Sequence, residues 1–273
     1  MSGSQIAIEP EFYPIERLLI VGPLADAGPL ADRAQAAGHH ATLLVPDEEI
    51  AAAHEWGKGH RVLLEGEAVG EDDFDLVVEL HCTDLAAKAE ALLYLEDALA
   101  ENVPILTLSL AVSTGELARE MLIPERVVGF SLLPPLKDSA LAELMPTPHT
   151  SGDAVGAAKR LFESLGIATA QVGDSPGGVL ARTVCCLVNE CALAVQEKIA
   201  SAEDIDKALR LAENYPYGPL TWGDRIGLDR VLAVMEGLHA EYKEERYRPA
   251  ANLKQLVREG HTGMAKGQGF FGY

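Results

Sequence analysis

The sequence predicts an α/β unit with a mostly parallel sheet over residues 1–172, followed by an all-α unit over residues 173–273. Three observations carry this division. In the first stretch, short buried-strand runs alternate with helix-period segments, the order that builds a parallel sheet covered by helices. In the second, apolar residues recur three or four positions apart, and proline–glycine turns separate the runs. Size agrees, since 273 residues hold two such units and about 100 residues are enough for a second core.

The elements follow in order. Arg17-Leu18-Leu19-Ile20-Val21-Gly22 reads as a buried strand entering a tight turn. Residues 29–37 read as a helix ended by Gly38, and residues 41–45 as a second strand. Residues 48–73 are polar and irregular and fit neither period. Residues 74–80 form the next strand, with a helix from about 84 to 100 and a further strand at 104–108. Residues 127–130 and 142–145 suggest two more strands, and residues 153–165 a helix. The alternation is that of a Rossmann-like, dinucleotide-binding sheet. Beyond the turn Asp174-Ser175-Pro176-Gly177-Gly178, a helix carries Leu180, Val184, Leu187, Val188, Cys191, Val195 and Ile199. Ser201, with Asp204 three residues on, starts a second helix. Tyr215-Pro216-Tyr217-Gly218-Pro219 breaks the chain. A third helix presents Leu228, Val231, Leu232, Met235, Leu238 and Tyr242, and a last one starts near Pro249.

Composition narrows the function classes. A net charge of −20 argues against nucleic acid and anionic membrane as partners, and any CoA ligand would need a local basic patch. No apolar run is long enough to span a bilayer. Met1-Ser2-Gly3-Ser4-Gln5 shows no secretory pattern, so a cytoplasmic location is expected. Cys82, Cys185, Cys186 and Cys191 lack metal-ligand spacing and read as core residues.

Several spaced motifs then line up in one order. They are Asp174-Ser175-Pro176-Gly177, Asn189-Glu190, Ser201-Ala202-Glu203-Asp204-Ile205-Asp206, Tyr215-Pro216-Tyr217-Gly218-Pro219, Asp224-Arg225-Ile226-Gly227-Leu228-Asp229, Arg246-Tyr247-Arg248-Pro249 and Gly267-Gln268-Gly269-Phe270. Together they resemble the C-terminal helical domain of the 3-hydroxyacyl-CoA dehydrogenases. The resemblance implies NAD-dependent oxidation of a 3-hydroxyacyl-CoA to the 3-oxoacyl-CoA, a homodimer formed by the helical domain, and an acyl-CoA ligand. NAD and NADP are not distinguished. Leu180-Ala181-Arg182-Thr183 is most similar to the second, appended helical copy of longer relatives.

The cofactor positions depart from that family's pattern. A dinucleotide fingerprint needs Gly-x-Gly-x-x-Gly so that backbone can approach the pyrophosphate. Counting back from Gly38-His39, the three glycine positions are Gly22, Leu24 and Ala27. Leu24 is expected to put a bulky side chain where pyrophosphate lies; Pro23 removes an amide, and Asp26 adds negative charge. Asp26 and Asp32 are expected to stabilise the positive end of the first helix themselves. The ribose-binding acid position is Val45, with Asp47 two residues beyond as a substitute.

The catalytic positions depart as well. Oxidation of the 3-hydroxyl needs a base, and the resemblance implies a histidine oriented by a carboxylate. Following Pro124-Glu125-Arg126-Val127-Val128-Gly129, the histidine position is Ser131 and the partner carboxylate is Glu143. The family's serine falls at Leu110, with Ser109 adjacent and facing elsewhere, and its asparagine falls at Ala181. Losing a general base alone costs about 10²–10⁴-fold in rate. His81, after a buried strand, and His149, in a polar loop, are the candidate replacements. Three readings stay open: the family dehydrogenase, a non-catalytic member binding an acyl-CoA or a partner subunit, and a changed thioester activity using His81 or His149.

Overall fold

The computed structural model describes residues 14–56, 59–63, 67–71 and 73–273. The N-terminal reading at Met1-Ser2-Gly3-Ser4-Gln5 lies outside them. The described residues contain an eight-stranded sheet in the order β3-β2-β1-β4-β5-β6-β7-β8. Its strands are β1 (Arg17–Val21), β2 (His40–Leu44), β3 (Arg61–Val62), β4 (Leu76–Glu79), β5 (Ile105–Leu108), β6 (Val127–Ser131), β7 (Leu141–Met145) and β8 (Ala168–Gln171). Pairing from β3 to β6 is parallel; β7 runs antiparallel to β6, and β8 parallel to β7. The strand order reverses between β1 and β4, where open sheets of this type bind ligands at their carboxyl edge.

The helices against the sheet are α1 (Leu24–Ala36), α2 (Ile50–Trp56), α3 (Leu85–Ala98), α4 (Thr114–Ala118) and α5 (Gly152–Ser164). Caps explain two of the starts. Asp84 accepts from the Ala86 and Ala87 amides at 3.1 and 3.0 Å, and Ser151 accepts from the Ala154 amide at 3.1 Å. Where the sequence was unreadable, between 48 and 73, the chain forms a 3-10 turn (Asp47–Glu49), helix α2 and the two-residue strand β3. These elements are too short to establish a period. Helix α1 starts at Leu24, five residues before the predicted start, and Pro29 lies inside it. The proline forfeits one helical bond, an expense that core burial of Leu24, Ala27, Leu30, Ala31 and Ala34 offsets.

The helical unit holds α6 (Leu180–Gln196), α7 (Ala202–Glu213), α8 (Pro219–Ile226), α9 (Leu228–Tyr242) and α10 (Ala251–Arg258). Ser201 caps α7, accepting from the Asp204 amide at 3.1 Å. Helix α8 is an element the sequence reading lacked, because Gly227 separates it from α9 by one residue only. Asp224 anchors the tail, accepting from the Phe270 and Phe271 amides and the Tyr273 hydroxyl at 2.9–3.0 Å. Leu228, Val231, Val234, Met235 and Leu238 of α9 are all buried within this chain, so its apolar face is internal core. Among the described residues no helix is long and apolar enough to cross a membrane.

One hydrophobic core runs from the sheet into the helical unit. Leu18, Ile20, Leu24 and Leu108 of the α/β unit belong to the same buried cluster as Ala181, Val184, Val231, Val234 and Met235. A second cluster, with Leu19, Val77, Leu92, Leu95 and Ile105, fills the opposite face of the sheet under α3.

Candidate functional site

The candidate site lies along the carboxyl edge of the sheet, where the turns after β1, β4, β5 and β6 meet α6 and α9. Strand register brings Ser131 and Glu143 together as partners on β6 and β7. Ser131 is buried, and its hydroxyl donates to the Gly177 carbonyl at 3.1 Å. Glu143 is also buried, and its carboxylate accepts from the Val179 amide at 3.0 Å and the Leu180 amide at 3.0 Å. The carboxylate thus caps the start of α6. Gly178, with φ +57°, fits against both residues: a Cβ there would come within 2.6 Å of Glu143 Oε2 and 3.3 Å of the Ser131 Cβ. The Ser131 hydroxyl and both Glu143 carboxylate oxygens are thus bonded to the backbone at the start of α6.

The other two positions expected from the resemblance are joined by packing. Leu110 and Ala181 are each 0% exposed and share the core cluster with Leu132, Val184 and Val234. Helix α9 closes over them: Gly237 leaves no room for a Cβ against the Ala111 carbonyl. Ser109 is buried and faces away, within 3.1 Å of the Thr114 hydroxyl. The groove that persists nearby, about 270 Å³, is lined mainly by apolar residues including Leu133, Pro134, Leu141, Leu180 and Trp222, with Arg225 and Asp138. A larger cavity of about 780 Å³ opens at the opposite, amino edge beside Arg17, Asp75 and Arg126.

The replacement histidines separate cleanly. His149 is exposed and lies at the amino edge, because β7 runs antiparallel and carries the following loop away from the site. His81 does lie at the carboxyl edge, beside the reversal point. Its Nδ1 is 2.9 Å from Glu79 Oε1, which as a carboxylate oxygen is the acceptor. Glu79 also accepts from the Thr107 hydroxyl at 2.6 Å and from the buried Lys88 ammonium. Burial pushes the Glu79 carboxyl up, but the Lys88 charge and the bonds from His81, Lys88 and Thr107 outweigh it and hold the group below its usual range. His81 and Glu143 are on strands three places apart in the sheet, roughly 14 Å, so Glu143 does not orient His81. Burial pushes the Cys82 thiol up to about 12, an inert state.

The loop after β1 is the expected dinucleotide site. Gly22, at φ +136°, is crowded by β4: a Cβ would meet the Leu80 Cβ at 3.1 Å. Ala27 is fully buried beneath it. Contrary to expectation, the Leu24 side chain packs inward with the core, and its amide is what is occupied, donating to Glu49 Oε2 at 2.6 Å. Pro23 offers no amide. Of the two acids expected to stabilise the positive end of the first helix, Asp26 lies in its first turn and Asp32 lies further along. Asp26 pairs at 2.6 Å with Arg230 of α9, and Asp32 binds the His60 Nε2 and Trp56 Nε1 at 2.8 and 3.2 Å. Burial raises the Asp26 carboxyl although Arg230 opposes it. Val45 is buried, and Asp47 is exposed on the 3-10 turn after Pro46. A carboxylate on the only donor at the start of α1 seen to be bonded outside the helix, with no glycine at the second position, does not fit a pyrophosphate. Glu49 and Arg230 escaped the sequence reading, since one fell in the unreadable stretch and the other acts across 204 positions.

The model of the 3-hydroxyacyl-CoA dehydrogenase NAD-binding domain matches residues 49–175, and that of the C-terminal domain residues 177–273. The probable 3-hydroxybutyryl-CoA dehydrogenase of Bacillus subtilis is 32% identical over 73% of this chain and 69% of its own. The 3-hydroxyadipyl-CoA dehydrogenase of Escherichia coli is 47% identical over 93 residues, 33% of this chain and 20% of its own. The crystal structure of (S)-3-hydroxybutyryl-CoA dehydrogenase from Ralstonia eutropha matches with a TM-score of 0.80 at 27% identity, covering 95% of this chain and 99% of that one. Matched through both of its units, the chain belongs to the 3-hydroxyacyl-CoA dehydrogenase family.

Proposed function

We propose that this chain keeps the family scaffold without the family's oxidation chemistry, and serves as a dimeric, non-catalytic member that binds an acyl-CoA-type ligand or a partner subunit. One observation carries the reading: Leu110 and Ala181, at positions where the family places polar catalytic groups, are fully buried in the core that joins the two units. Neither side chain offers a hydrogen-bond donor to a substrate carbonyl. Removing the base as well costs roughly 3–5 kcal/mol of transition-state stabilisation. The ligand expected is limited by the small groove beside Leu180 and Trp222, which is below the usual range for drug-sized pockets, so a CoA ester would lie largely on the surface. For a dimer formed by the helical unit, the exposed apolar residues are Leu211 on α7 and Ile199 just after α6, 69% and 73% exposed.

The competing reading is NAD-dependent 3-hydroxyacyl-CoA oxidation, favoured by the names of the relatives. Thermal unfolding with NADH and with acetoacetyl-CoA, followed by a turnover assay for NADH consumption, separates the two. A ligand at 100 times its Kd adds about 2.7 kcal/mol of apparent stability. The expected result is no shift with NADH and no turnover. An NADH shift accompanied by turnover overturns the proposal in favour of the family reaction.

A further inference from the structure

We infer that Glu49 is a built-in substitute for a nucleotide phosphate at the start of helix α1. The inference rests on the reading of a closed cleft and names the group that closes its cofactor end. Helix α1 has no side-chain cap of its own, because Pro23 sits at the capping position. The Asp26 and Ala27 amides bond back to the Pro23 carbonyl, each at 2.9 Å, while the Leu24 amide turns to Glu49 at 2.6 Å. A helix start favours an anion, and in dinucleotide-binding folds the phosphate supplies it. Here the anion comes from 25 residues along the same chain.

The segment bearing Glu49 is built to stay there. The 3-10 turn Asp47–Glu49 runs straight into α2, whose last residue is Trp56. The Trp56 ring lies against Gly28, where a Cβ would meet it at 2.8 Å, and Trp56 Nε1 donates to Asp32 at 3.2 Å. Residues 47–56 therefore clasp α1 at its first residue and again one and two turns on. Asp26 lies close enough to Glu49 for mutual repulsion, and Arg230 neutralises it from the helical unit at 2.6 Å, with Asp229 nearby. Glu49 places its carboxylate where the helix start favours an anion, and Arg230 lets a second acid remain beside it.

The test is chemical rescue with inorganic pyrophosphate, at matched ionic strength, on the full chain. Glu49→Ala is expected to lower the Tm by roughly 2–6 °C, the effect of a lost cap in a domain of this size. Pyrophosphate should return most of that loss while leaving the wild type unmoved. Glu49→Gln keeps an acceptor oxygen and drops the charge, so it should fold and respond to pyrophosphate more than the wild type. It decides the matter if Glu49→Ala does not fold. A Glu49→Ala protein that melts with the wild type, or three proteins that respond equally, overturns the inference. NADH turnover by the wild type would defeat the closed-cleft reading separately. An inert wild type with no rescue defeats the role of Glu49 alone.

Discussion

Two turns at the same edge of the sheet have diverged in opposite ways. The turn Asp174-Ser175-Pro176-Gly177 matches the family motif, and each matching residue has a bond to make. Asp174 accepts from the Thr114 and Gly115 amides at 2.8 and 2.7 Å, holding the start of α4. Gly177, at φ +74°, donates its amide to the Ser109 carbonyl at 2.9 Å and accepts from Ser131. The turn after β1 departs from the motif at Leu24 and Ala27, and those residues are buried in the core. Only Gly22 persists, at φ +136°, where a Cβ would meet the Leu80 Cβ at 3.1 Å just past β4. On the proposed function, the contrast separates groups that the scaffold itself uses from positions that served a ligand. Groups with a partner inside the chain stay in place, as Glu143 does by capping α6. Positions that served the ligand alone are free to become core.

The contrast can be broken most forcefully at Leu24. If the cofactor turn is now core, Leu24→Gly costs about 3–5 kcal/mol, combining a deleted buried leucine with a glycine in a helix. Urea unfolding measures this, and a tolerated substitution that gains NADH binding would show the turn to be a dormant site instead. Next is Glu143→Ala, expected to cost about 1–3 kcal/mol by leaving the Val179 and Leu180 amides without their acceptor. A variant of unchanged stability would mean that Glu143 holds no helix. The smallest effect is a pH dependence. Burial raises the Asp26 carboxyl above its ordinary 3.8, so just above that pH the folded state holds a proton the unfolded state has released. Stability therefore falls as pH rises from 3.8 through the folded value. Melting curves of Asp26→Asn across that range should lack this decline; an identical slope in both proteins removes Asp26 from the account.

Much of the architecture was legible because it is written in local periods. Strands β1, β4 and β5, helices α5, α6 and α9, and the cap at Ser201 follow from local runs and motifs. The short elements α2, β3, α4 and β8 span too few residues to set a period, and Pro29 concealed the early start of α1. At the site, the substitutions at Leu110, Ser131 and Ala181 could be read directly, since they depend on residue identity at fixed offsets.

What the sequence determined by itself was the order of elements, the family motifs and which residues stand at Leu110, Ser131 and Ala181. Tertiary structure decided the contacts. Whether Leu24 points outward or into the core, which carboxylate reaches its amide, and how Arg230 neutralises Asp26 all depend on where distant segments come to rest. Such pairings lie 25 and 204 residues apart, and local periodicity carries no information at that range because chain geometry propagates only over a few turns.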